Sequence, residues 1–182
     1  MTKEEALQLV KENIQNQNLI KHMLASEAIM KALAKKFGKD EKLWGIIGLL
    51  HDLDFEKTKD TPEKHGLVTA EMLKDKVDET IIRAIKSHND LLGVPRETDL
   101  EHALASSEQL TGLIVGCALV MPDKKLASVR PETILKKFKD KSFTANVRRE
   151  IILECEKLDL NLEDFVKLGL EAMQGIAGDL GL

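Results

Sequence analysis

This chain of 182 residues has little cysteine, no tyrosine and no long apolar run, and each shortage removes a class of protein. Its two cysteines, Cys117 and Cys155, lie in apolar helical patterns and in no Cys-x-x-Cys pair, so both are expected to be small core residues doing no chemistry. No apolar segment approaches the roughly 18 residues needed to cross a bilayer. The charged start Met1-Thr2-Lys3-Glu4-Glu5 has none of the apolar centre of a signal peptide, and a cytoplasmic location with no membrane partner is the expectation. No Gly-x-x-x-x-Gly-Lys or Gly-x-Gly-x-x-Gly segment exists, which removes the standard nucleotide-binding loops. A Ser/His/Asp nucleophilic arrangement is likewise missing. A net charge of −4 argues against general nucleic-acid binding.

The chain does have 43% hydrophobic and 32% charged residues, enough for one domain with its own core and no disulfides. Apolar spacing near 3.6 residues, punctuated by caps, runs along its whole length. Thr2 with Glu5 and Thr98 with Glu101 read as capping boxes, opening a first helix and a long helix from Asp99 to about Val120. Further helices are expected over 19–37, 41–50, 61–73, 78–88, 131–138 and 142–158, with Asn161 capping a last one; residues 53–60 read as a charged loop. Nothing reads as a strand. The expected fold is all-α, a compact single-domain bundle of eight or nine helices.

Four of the five histidines fall at predicted helix ends around one doublet. His22 precedes Leu49-Leu50-His51-Asp52, and His65 and His88 follow it. Imidazole and carboxylate together suit Zn, Fe, Mn, Co or Ni rather than Mg or Ca alone. Adjacent helical residues project about 100° apart, so His51 and Asp52 converge on one ion most easily where the helix ends.

In this order the residues resemble the HD-domain superfamily of metal-dependent hydrolases, in its single-domain, HDIG-type form. The resemblance covers about 19–120, with 121–182 as a C-terminal helical extension, and is carried by Leu49-Leu50-His51-Asp52, Lys64-His65-Gly66 and Ile85-Lys86-Ser87-His88-Asn89. It implies that His22, His51, Asp52 and a carboxylate on a later helix hold one ion, and that Asp52 bridges to a second held by His65 and His88. The last ligand of the family is an aspartate in a run like Ala-Asp-x-Leu-Thr. Here the run is Ser106-Ser107-Glu108-Gln109-Leu110-Thr111, which places Glu108 at the ligand position. The lysine that often follows the doublet in dinuclear phosphodiesterases is replaced by Phe55.

The resemblance implies a phosphohydrolase or phosphodiesterase acting on a nucleotide or another small phosphate ester, with one or two divalent transition metals activating water. Asp52 and Asp54 are its candidate catalytic residues, Asp54 as the group that orients the water. Two alternatives are a di-iron enzyme that uses O₂ and a non-catalytic nucleotide-binding module. Between Asp123 and Glu150 nine Lys/Arg face four acids, a local +5 against −9 elsewhere. Lys125 and Arg148 from that segment, with Lys57, are the candidate contacts to a substrate phosphate. Asp52 to Glu63 superficially matches a calcium loop but has Lys57 where glycine is needed for the sharp turn. His102, among charged neighbours, reads as a solvated residue.

Overall fold

In the computed structural model, which describes residues 1–182, the Thr2 hydroxyl accepts from the Glu5 N–H and the Glu5 carboxylate accepts from the Thr2 N–H at 2.7 Å. That capping box starts α1 (Lys3–Asn13). The second helix, α2 (Gln17–Lys36), begins two residues earlier than its apolar pattern because the Asn16 side chain accepts from the Asn18 N–H at 2.9 Å. Asp40 caps α3 (Glu41–Leu50), a nearly all-apolar helix that ends directly before His51 and Asp52. A single turn, α4 (Phe55–Thr58), follows where a loop was expected, since Asp54 accepts the first N–H bonds of the turn with its own carbonyl.

The helix expected over 61–73 is divided. Pro62–Lys64 forms one 3₁₀ turn, and α5 (Leu67–Leu73) starts only after Gly66, whose φ of +86° is a left-handed conformation that disfavours a side chain. His65 therefore lies in the bend between them instead of in a helix's first turn. Then come α6 (Glu79–His88), and α7 (Asp99–Leu119) with its Thr98/Glu101 capping box.

In the C-terminal segment, α8 (Pro131–Lys139) and α9 (Arg149–Ile152) lead through a 3₁₀ turn to α10 (Leu162–Gln174) and α11 (Ala177–Leu180). The continuous helix expected over 142–158 is not formed. Thr144 takes a φ of +46°, and the buried Arg149 guanidinium donates to the carbonyls of Asp140, Phe143, Thr144 and Val147, supplying partners that a helix would have supplied. No strand is present, the fold is all-α, and eight of the eleven helices run seven residues or more.

A continuous core of 40 buried side chains extends from Ala6 to Leu180. α7 packs against α2, α6, α8 and α10 and is the helix around which the others gather. Two of its glycines admit neighbours: a Cβ on Gly116 would collide with the Thr144 side chain, and one on Gly112 would stand 3.0 Å from Val147. Cys117 and Cys155 are buried, and burial raises their thiols to about 11 and about 12. No helix is long and apolar enough to cross a membrane.

The tightest approach is between α2 and α3. A Cβ on Gly48 would lie 2.8 Å from the Ser26 carbonyl carbon and oxygen and 2.9 Å from the Glu27 nitrogen, all rigid backbone. Gly48→Ala is thus expected to force the helices apart and lower stability by about 1–3 kcal/mol in denaturant unfolding. An unchanged midpoint would show that α2 and α3 accommodate the methyl group without separating.

Candidate metal centre

Each site histidine is held by its Nδ1. The His51 Nδ1–H donates to the Gly48 carbonyl at 2.8 Å, one helical turn back along α3. His88, the last residue of α6, donates in the same way to the Ile85 carbonyl. The Thr111 hydroxyl of α7 donates its single hydrogen to the Glu108 carbonyl, so at 2.8 Å it accepts from the His22 Nδ1–H. His65 donates its Nδ1–H to Asp54 Oδ1 at 2.8 Å. With every Nδ1 committed as a donor, each neutral imidazole turns the lone pair of its Nε2 inward.

Those lone pairs meet. His22 Nε2 and His51 Nε2 are 3.2 Å apart, and His65 Nε2 and His88 Nε2 are 2.9 Å apart. Two facing imidazole lone pairs repel unless a cation, either a proton or a metal, lies between them. Asp52 stands between the pairs: its Oδ2 is 3.6 Å from His22 Nε2, and its Oδ1 is 3.2 Å from His65 Nε2 and 3.6 Å from those of His51 and His88. Burial opposes charge on Asp52, but the surrounding imidazoles of His51, His65, His88 and His22 outweigh it and hold the carboxyl well below its usual range. Burial likewise lowers His51 to about 3, whereas on His65 the hydrogen bonds to Asp52 and Asp54 overcome burial and push it up to about 10.

The donors form two groups whose ligand atoms all lie within 4.8 Å of one another, His22/His51/Glu108 and Asp52/His65/His88. Burial raises the Glu108 carboxyl, and the nearby Asp52 charge adds to it. Mixed imidazole and carboxylate donors with their other nitrogens pinned fit divalent transition metals. These residues could hold one ion in each group, with Asp52 between them.

Asp54 has a different position from the one its sequence suggested. It is fully buried; Oδ1 accepts from His65, and Oδ2 accepts from the N–H groups of Gly66 and Thr69 at 2.9 and 2.8 Å. Both oxygens are occupied, so Asp54 positions His65 and closes the bend instead of orienting a water.

Of the three candidate substrate cations, only Arg148 is tied to the cluster. Its N–H donates to Gln109 Oε1 at 2.7 Å, while the other end of the same amide donates to Glu108 Oε1 at 2.8 Å. Its guanidinium meets Asp90 at 2.5 Å, two residues beyond His88. Lys57 instead donates to Asn13 at the end of α1, and Lys125 is an exposed residue beyond the far end of α7.

Three participants were not identified from the sequence. Gln109 links Glu108 to Arg148. Arg96 grips both oxygens of Glu154, Asp90 and the Ser87 carbonyl beside His88. His102 is part-buried and donates to Glu154 at 2.8 Å, so it is not the solvated residue expected. No local pattern signalled these roles, because each depends on a partner 39 to 58 positions away: Arg148 for Gln109, and Glu154 for Arg96 and His102.

A family model described as the HD domain matches residues 19–114, more than half of the sequence and the stretch that contains all six donors. The chain belongs to the HD domain family. HD domains form a superfamily of metal-dependent phosphohydrolases, and the His/Asp cluster of this one fits a metal site. The chain is also similar to a ribonuclease Y of Lawsonia intracellularis (strain PHE/MN1-00), at 31% identity over 105 residues, 57% of this HD protein and 20% of that relative. It thus spans about a fifth of the relative's length. No solved structure matches it.

Asp54→Asn keeps the size of the side chain but places an amide N–H₂ against N–H donors. Metal affinity is expected to fall about 10- to 100-fold, as when a partner of a ligating histidine is lost, with helical circular dichroism retained. Competition titration against a chromophoric chelator measures this, and unchanged affinity would remove Asp54 from its positioning role.

Proposed function

We propose that the chain is a phosphohydrolase that cleaves a nucleotide or another small phosphate ester, with two transition-metal ions held by His22, His51, Asp52, His65, His88 and Glu108. The supporting observation is the convergence of four Nε2 atoms on one buried carboxylate, each with its Nδ1 bonded outward. When bound, such ions bring the pKa of water near about 7 and offset charge on a leaving oxygen. The protein's own residues do the rest. Asp54 fixes His65, Thr111 fixes His22, and the Gln109 amide orients the longer Glu108 side chain while anchoring Arg148 beside it. The Arg148 guanidinium, half-exposed and paired with Asp90 and Glu150, is placed to exchange those carboxylates for a substrate phosphate.

The test is a panel of phosphate monoesters and diesters, with short RNA among the diesters because the similar ribonuclease Y is by its name a nuclease. Protein reconstituted with Mn²⁺, Zn²⁺, Co²⁺ or Ni²⁺ is expected to hydrolyse at least one, and His51→Ala to lose both metal and turnover. No hydrolysis by any metal form would sink the reading. Two bound irons with O₂ consumption would replace it with oxidative chemistry, and tight nucleotide binding without turnover would replace it with a regulatory module.

Arg148→Ala should raise KM about 10-fold or more with a smaller change in kcat, since a charge-assisted hydrogen bond contributes about 1.5–3 kcal/mol. Steady-state kinetics on the best substrate decides this; an unchanged KM would return Arg148 to a structural role.

A further inference from the structure

Phe55 does not belong to the core. It is 46% exposed and is the one phenylalanine of five left substantially in water. Its ring meets the ring of His65 edge to face, with centroids 5.6 Å apart and planes at 90°. His65 in turn reaches Asp52 and His88. One ring therefore separates Phe55 from the centre of the donor cluster, and nearly half of its surface is open to solvent.

The turn that presents it is held firmly. Asp54 before it accepts three hydrogen bonds, the Glu56 carboxylate after it accepts from the N–H groups of Gln15 and Asn16 at 2.8 and 2.9 Å, and the Thr58 hydroxyl donates to the Asp54 carbonyl at 2.9 Å. The exposed ring thus stands on a fixed base, and its exposure does not follow from a loose loop. Leu91, 65% exposed, lies on the turn after His88, and the Asn89 side chain fastens that turn to the His65 carbonyl at 3.0 Å. Apolar surface accordingly flanks the His65/His88 side, and the Arg148 guanidinium comes to the same turn through Asp90, its backbone N–H being held by Gln109.

Resting on the phosphohydrolase reading, we infer that Phe55 is the platform for a flat aromatic or heteroaromatic group of the substrate, so that the site selects phosphate esters of ring compounds over alkyl phosphates. A phosphate directed at the donor cluster would carry its ester group outward beside His65. There a flat ring gains aromatic pairing with the exposed Phe55 ring, offset-stacked or edge to face, in addition to the area it buries, and an alkyl chain gains only the area.

The experiment is calorimetric titration of the full chain, reconstituted with Mn²⁺, with phenylphosphonate and with ethylphosphonate, whose C–P bonds resist hydrolysis. Phenylphosphonate is expected to bind about fivefold more tightly. The preference should vanish in Phe55→Ala and persist in Phe55→Tyr and Phe55→Trp, with manganese content and helical circular dichroism confirming that each variant is folded and loaded. Equal binding by the wild type, binding of neither phosphonate, or a preference that survives Phe55→Ala would overturn the inference. The aromatic preference without hydrolysis of any phosphate ester would leave the platform standing and remove the phosphohydrolase reading, and hydrolysis without the preference would do the reverse.

Discussion

Four imidazole Nδ1–H groups, each bonded to an acceptor outside the cluster, are the constraint on which this site depends. Because the Gly48 and Ile85 carbonyls, the Thr111 hydroxyl and the Asp54 carboxylate take those hydrogens, the four Nε2 lone pairs have no direction left but inward. Lone pairs opposed at 3.2 and 2.9 Å are stable only around positive charge. The fold thus builds a place suited to a cation, with the buried Asp52 carboxylate supplying negative charge beside it. Two of the acceptors are carbonyls of the same helix three residues back, so helix ends do part of the positioning without any dedicated side chain.

The C-terminal segment completes this arrangement. Arg149 gathers four carbonyls into a compact turn that fits against the glycines of α7, and the turn delivers Arg148 to Gln109 and Asp90. Arg96 joins Glu154 to the end of α6 next to His88. Both helices that bring late donors, α6 and α7, are therefore braced from a part of the chain outside the stretch matched by the HD family model.

The donor residues were legible in the sequence because the doublet, the helix-end histidines and the Glu108 run are local patterns. The capping boxes at Thr2 and Thr98 were legible for the same reason: cap and partner are three residues apart. Where sequence reading went astray, a distant partner had intervened. The 142–158 periodicity is helical, but the Arg149 guanidinium and a left-handed Thr144 satisfy the backbone in another way. His102 stands among charged neighbours as a surface residue would, yet Glu154 reaches it from 52 positions away. Asp54 looked free to orient water, and the folded chain takes both of its oxygens.

By itself the sequence determined an all-α chain and the chemical kind of its donors, since apolar period, caps and side-chain type are properties of neighbouring residues. Tertiary structure alone decided which nitrogen of His22 and His65 faces the centre, that Asp54 positions His65, that Arg148 and not Lys57 or Lys125 stands by the cluster, and that Phe55 is held out beside His65. Those outcomes depend on hydrogen bonds and ring contacts closed between segments 10 to 89 residues apart, and no local pattern encodes the partner at the other end.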